Sequence, residues 1–351
     1  MFVGVDIHKD THTAVGLSPF GEKLFEKTIG NYEEDFVSLI GKVEEIACSS
    51  GLRPSFGLED CNGFGERIAG FLNISGYPVT YVPPVLVDNR RKYETHPEKS
   101  DSLDAKGVAE VMIQRIDRLP AYTLTEEAKN NRDIRELSLD REYLVSEQTR
   151  LKNQLHTILH RIWNTEYRDK FRDSFSVKGL RYWLKNIPKG ISGFLHHSMK
   201  RKIRRLQAIR EEIHEIEDEV KQLLNKSGHT LHTANGCGLV IASMIVGEIG
   251  DISRFHSPGA LAKYAGCAPR EHSSGKTFHH RKSRSGNRRL NCAFHRMALS
   301  QISRMGNEKA RTYFRRKISE GKSKQQALVC LRRQMVNIVW MMMKHKTQYF
   351  T

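Results

Sequence analysis

Residues 2–28 read FVGVDIHKDTHTAVGLSPFGEKLFEKT, and this stretch decides how the N-terminal part of the chain folds. Residues 2–6 alternate and are rich in β-branched side chains. Similar runs cover 13–17 and 23–28, with Ser18, Pro19 and Gly21 punctuating the gap between the last two. Three antiparallel strands are predicted. A helix follows over 34–47, with Phe36, Leu39, Ile40 and Val43 on one face. Beyond it the pattern gives a strand at 55–59, a helix at 64–74, a strand at 78–82 and a helix that begins near Asp101.

Three strands, then helix, strand, helix, strand, helix, is the order of an RNase H-like fold, in which helices cover a mixed sheet and carboxylates gather at one end. From about Glu126 the pattern changes to long polar helices. Leu144, Leu151, Leu155, Ile158 and Ile162 form one apolar seam, and Ile203, Leu206, Ile213, Ile216, Val220 and Leu223 form another. Two antiparallel coiled-coil arms fit these seams; an ordinary helical bundle fits them equally. Gly179, Pro188, Gly190 and Gly193 mark the turn between the arms. After Gly228 come Gly236-Cys237-Gly238, an apolar helix over 239–249, a Gly- and Ser-rich basic loop, and helices over 288–305 and 325–346. The fold class expected is α/β plus α, in three domains: 1–122, a middle coiled coil at 123–227, and a mostly helical domain at 228–351.

A chain of 351 residues with 38% hydrophobic and 28% charged residues has apolar material for several cores. The longest apolar run, 338–343, is too short to span a bilayer, and the N-terminus enters a strand directly without a signal-peptide pattern. The expected location is the cytoplasm, with no membrane partner. Six scattered cysteines (Cys48, Cys61, Cys237, Cys267, Cys292 and Cys330) form no C-x-x-C pair and read as reduced thiols. The formal net charge of +17 asks for a polyanion. Without a lipidation signal or a basic helix carrying a bulky apolar face, nucleic acid is favoured over a membrane surface.

Asp6 ends the first strand, Glu59 ends the fourth, and Asp101 and Asp104 share one face of a helix start. Four acids drawn to one point repel unless cations neutralise them, and oxygen-only ligation suits Mg²⁺ or Mn²⁺ in phosphoryl transfer. Taken singly, each is read as a surface carboxylate, and Asp101 as a helix cap. Asp10 and Asp60 read as solvent-facing neighbours.

Residues 268–290 read APREHSSGKTFHHRKSRSGNRRL. Arg270, Lys276, Arg281, Lys282, Arg284, Arg288 and Arg289 surround a single acid, Glu271, so a nucleic-acid backbone is the expected contact. Within the loop lies Ser273-Ser274-Gly275. Nearby guanidinium groups would help a serine attack phosphorus, while Ser-Gly in a polar turn is the plainer reading. Gly236-Cys237-Gly238 fits either the hairpin of a helix-hairpin-helix element or a simple helix start. His196, His197, His279 and His280 lack metal-ligand spacing.

The segments GVDIHKDTHTAV, LED at 58–60 and KSDSLDAKGVAE around Asp101 and Asp104 resemble the N-terminal module of DEDD transposases of bacterial insertion sequences. The segment from HTANGCG to HSSGK, with GNRRL downstream, resembles the C-terminal module of the same family. That resemblance implies a RuvC-like domain with metal ligands Asp6, Glu59, Asp101 and Asp104, and a C-terminal transposase domain whose nucleophile is Ser274. Ser273 beside it leaves the choice of serine open. It further implies a phosphoserine intermediate, a composite site shared between protomers of a homodimer or homotetramer, and a bridge RNA that pairs with donor and target DNA. A RuvC-like structure-specific endonuclease or Holliday junction resolvase, with water as nucleophile, is the main competing reading. A non-catalytic nucleic-acid scaffold is the third.

Overall fold

The computed structural model describes residues 1–59, 63–92, 99–274, 277–281 and 286–349, with backbone alone for 270–274 and 277–281. Its contacts group into two compact units, Met1–Lys129 and Asn130–Thr351.

The first unit is a mixed α/β sheet. Strands β1 (Phe2–Ile7), β2 (Thr11–Leu17) and β3 (Lys23–Gly30) form an antiparallel meander, while β4 (Ser55–Leu58) and β5 (Val79–Tyr81) continue it in parallel, giving the order β3-β2-β1-β4-β5. Helices α1 (Glu33–Ser50), α2 (Glu66–Ile74), α3 (Pro84–Arg91) and α4 (Asp101–Arg115) complete it. The apolar character of β1 reflects burial on both faces. Val3 and Val5 join Phe36, Leu39 and Val43 of α1 and Ile68 and Leu72 of α2 in one core cluster. By the two-residue period of a strand, Phe2, Gly4 and Asp6 point the other way, towards α4. Gly4 lets that helix come close. A Cβ there would lie 2.5 Å from the Ala109 amide nitrogen and closer still to the Ala105 carbonyl oxygen. Beside this contact, Ala105 and Ala109 of α4 pack with Val15 and Leu17 of β2.

The second unit is mostly helical. Its helices are α5 (Glu126–Trp163, entering from the first unit), α6 (Tyr167–Lys170), α7 (Val177–Lys185), α8 (Gly193–Lys226), α9 (Leu239–Ile249), α10 (Pro258–Tyr264), α11 (Arg288–Ile302), α12 (Glu308–Ser319) and α13 (Lys324–His345). Helices α5 and α8 run antiparallel, as the links Arg141 to Glu217, Arg205 to Glu147 and Lys202 to Gln154 require. Leu155, Ile158, Ile203 and Leu206 are buried near their distal ends, where Trp183 and Tyr167 close an aromatic cluster. The Trp183 indole donates to the Ser174 carbonyl at 2.8 Å. At the other end Ile134, Val220 and Leu224 join the core built around α9, whose residues from Ala242 to Ile249 are all buried.

The basic loop expected around the serines contains a hairpin, β6 (Arg270–Ser274) paired with β7 (Thr277–Arg281). Helices α3, α10 and α12 also lie where no element was expected. Each begins on a local signal: Pro84 at the start of α3, Ser257-Pro258 at α10, and the Asn307 side chain accepting from the Lys309 and Ala310 amides at α12. Among the described residues, no helix is long and apolar enough to cross a membrane.

Because the atoms that crowd Gly4 belong to a helix backbone, Gly4→Ala is expected to lower the stability of the first unit by about 1–3 kcal/mol. Urea unfolding followed by circular dichroism measures it; an unchanged midpoint would show that α4 can move off the strand freely.

Candidate active site

β1 and β4 lie side by side and parallel with Val5 opposite Leu58, so the next residue of each strand path, Asp6 and Glu59, emerges at the same edge. Helix α4 starts at that edge, with Asp101 and Asp104 in its first turn. The cap of this helix is Ser100, whose hydroxyl accepts from the Leu103 amide at 3.3 Å, so Asp101 is free of the capping role open to it in the sequence. Both aspartates sit in the positive field of the helix N-terminus.

The acids sense one another. Burial, together with the charges of Asp104 and Asp101, raises the Asp6 carboxyl above its ordinary range, against the pull of His8. Burial first, then Asp6 and Asp104, push Glu59 up to about 7, against Arg91 and Lys99. Asp6 is 7% exposed, which explains the weight of desolvation.

Two basic side chains answer this field. His8 Nε2 lies 3.2 Å from Asp6 Oδ2 and 3.2 Å from Asp101 Oδ1, and its hydrogen bond to Asp101 leads the causes that raise its pKa. Arg91 donates to Asp104 at 3.1 Å and to Asp88 at 2.9 Å, holding the fourth acid in place. Asp6, His8 and Asp101 offer ligand atoms all within 4.8 Å of one another. The sequence reading had no role for His8, although its place two residues after Asp6 was the available signal. The donor set is dominated by hard carboxylate oxygens, the chemistry that fits a hard divalent cation.

The serine segment is described through its backbone. Ser274 closes the β6–β7 ladder opposite Thr277, and Ser273 pairs with Phe278. Arg270 and Arg281 pair with each other at the other end of the hairpin. Lys276, Lys282 and Arg284, expected to contact nucleic acid, lie outside the described residues, as do Asp60 and Gly275. Arg288 is exposed. Arg289 is occupied within the protein, donating to Glu248 at 2.5 Å, to Glu142 at 3.1 and 3.2 Å and to Ser138 at 3.1 Å. Asn287 caps α11 through the Leu290 amide and also donates to Glu248. The Gly-Asn-Arg-Arg-Leu segment is therefore a clasp that ties the start of α11 to α9 through a buried carboxylate. Gly236-Cys237-Gly238 leads into α9 with Gly236 at φ +74° against Ser300 and Cys237 buried.

Comparison with known proteins places this chain among enzymes that move DNA. A family model described as a transposase matches residues 3–164, and one described as the transposase IS116/IS110/IS902 family matches residues 228–315. The chain belongs to this family of insertion-sequence transposases. An uncharacterized 44.8 kDa protein of insertion element IS116 from Streptomyces clavuligerus is 25% identical, over 99% of this chain and 95% of that protein. The transposase for insertion sequence element IS1111A from Coxiella burnetii is 24% identical over 78% of this chain and 70% of its own. A pilin gene-inverting protein from Moraxella bovis is 29% identical over 39% of this chain and 45% of its own.

Two predictions follow the geometry. An acid whose folded pKa exceeds its unfolded value binds more protons in the native state, so stability falls as pH rises between the two values. For Glu59 that window runs from 4.5 to about 7. Without divalent ions the melting temperature should therefore drop across this range, the drop should shrink in Glu59→Gln, and added Mg²⁺ should stabilise more at pH 8 than at pH 5; a flat profile would contradict the crowding of the acids. Removing Arg289 takes the nearest cation from the buried Glu248, so Arg289→Ala should cost about 3 kcal/mol while the exposed Arg288→Ala stays within about 0.5 kcal/mol. Equal effects in thermal melts would argue against the clasp.

Proposed function

We propose that this transposase cuts and rejoins DNA by transesterification, with Ser274 as nucleophile and a divalent-cation site at Asp6, Glu59, Asp101 and Asp104. The observation that carries the reading is the convergence of Asp6 and Glu59 on one sheet edge with the first turn of α4. The strand order β3-β2-β1-β4-β5 supports an RNase H-like, RuvC-type domain, and the antiparallel α5 and α8 support a coiled-coil middle region. Bound there, Mg²⁺ or Mn²⁺ supplies electrostatic stabilisation to a phosphate whose oxygens gain charge. Arg91 keeps Asp104 oriented, and His8 bridges Asp6 and Asp101.

The serine step is balanced without an energy source. Ser274 Oγ forms a bond to phosphorus as the bond to a deoxyribose oxygen breaks, and the departing oxygen takes a proton. Attack on the phosphoserine by a hydroxyl of a second strand then restores a phosphodiester and the free serine. One ester replaces another at each stage, which suits rejoining. Arg270, Lys276, Arg281, Lys282, Arg284 and Arg288 are proposed to grip the backbone, with Arg289 bracing their segment. Specificity is proposed to come from a bridge RNA that pairs with donor and target DNA, the protein acting as a homo-oligomer in the bacterial cytoplasm.

Ser274→Ala should abolish the covalent protein–DNA adduct and lower strand exchange by on the order of 10³-fold or more, while Ser273→Ala retains both. Denaturing gels of labelled DNA incubated with Mg²⁺ read the adduct. Cleavage that survives in Ser274→Ala but is lost in Asp6→Asn would replace the proposal with a water-using RuvC-like nuclease.

A further inference from the structure

We infer that the distal end of the α5–α8 arm is a second nucleic-acid grip, separate from the basic segment around Ser274, which binds the phosphate backbone of a duplex without reading its bases. Residues 164–210 hold thirteen Lys and Arg against three acids, a net +10 of the chain's +17. Of these cations, Arg205 alone has a carboxylate partner at ion-pair distance among the described residues, Glu147.

The charges form ordered stripes. On α7, Lys178, Arg181 and Lys185 are spaced three and four apart and exposed, opposite the buried Leu180 and Trp183. On α8, Lys200, Arg201 and Arg204 are exposed, opposite the buried Met199, Ile203 and Leu206. The cations therefore stand on rigid helices anchored by the aromatic cluster: the indole of Trp183 is tied to Ser174, and Lys170 lies 5.1 Å over the Tyr182 ring. Phe194, 69% exposed at the start of α8, adds an aromatic face to this surface.

The boundary of the patch is equally ordered. Residues 211–219 carry Glu211, Glu212, Glu215, Glu217, Asp218 and Glu219 and no Lys or Arg. Polyphosphate is repelled there, so the footprint is limited to the basic part of α8, about 27 Å of helix at 1.5 Å per residue, together with α7. A charge surplus this concentrated, on fixed helices and mostly unpaired, is the electrostatic footprint of a nucleic-acid backbone. The partner's chemistry is a double-helical phosphate backbone, which DNA and a folded RNA both present.

The inference needs neither Ser274 nor a metal ion, so binding alone tests it. Two variants of the full chain are compared with the unaltered protein: Lys178→Ala/Arg181→Ala/Lys185→Ala and Lys200→Ala/Arg201→Ala/Arg204→Ala. Fluorescence anisotropy with a duplex DNA of arbitrary sequence and with an RNA hairpin of equal stem length, over a salt series, gives affinity and its salt slope. Each triple variant should weaken binding by about tenfold or more and flatten the slope by about 1–3, since each lost phosphate contact removes about 0.9. Loss with DNA only, RNA only or both identifies the backbone gripped. Affinities within twofold and unchanged slopes for both nucleic acids would overturn the inference. Melting temperatures confirm folding, and the matching Gln triples serve where an Ala triple unfolds.

Discussion

The seating of α4 on β1 over Gly4 is the contact on which the acidic edge of the sheet depends. Backbone meets backbone there, because no Cβ intervenes, and the approach brings the first turn of α4 alongside the end of β1. Asp6 lies on the same face of β1 as Gly4, so the residue that admits the helix and the residue that meets its acids belong to one strand register. A strand slipped by one residue would turn Asp6 into the core in place of Val3 and Val5. Packing thus sets the electrostatics, and the raised carboxyls of Asp6 and Glu59 are its consequence.

The first unit accepts repulsion where its acids gather, and its own cations relieve only part of it. His8 and Arg91 occupy two of the directions from which positive charge can approach. Arg91 is anchored by Asp88 on its own helix and is a fixed partner for Asp104. His8 is half-exposed and follows β1 directly. Arg91 is thus held on two sides, while His8 is bound to the acids alone.

In the second unit, charge is sorted along the helices. A buried carboxylate, Glu248 on the central helix α9, is matched by Arg289, Asn287 and, at 3.6 Å, Arg135, so acid in the core is fully answered. Towards the far end of the α5–α8 pair the balance reverses and cations face solvent without acids. The cost of unpaired cations on a surface is small in water and grows favourable only when a polyanion arrives. The helical arm therefore behaves as a rigid carrier of charge, and its apolar seam, buried at both ends and half-open around Leu144 and Ile216, keeps that charge in place.

The sequence by itself determined the mixed sheet and the order of its strands, since strand alternation, turn residues and amphipathic helix faces are local signals that survive without tertiary context. It also determined which acids stand at element ends, and the family to which the chain belongs, because both ends of the chain carry the motifs in order. Only the tertiary structure decided that α4 sits close enough for Asp101 to share His8 with Asp6, that Ser100 rather than Asp101 caps the helix, and that Arg289 serves a buried acid rather than solvent. The first and the last depend on partners far apart in the chain, Arg289 and Glu142 most of all, and periodicity carries no information about such pairs; the cap is local, but adjacent Ser100 and Asp101 offer the same role in the sequence. The short helices α3, α10 and α12 and the β6–β7 hairpin were obscured for a related reason: polar, basic segments lack an apolar period, and their folding is settled by caps and by the surfaces they rest on.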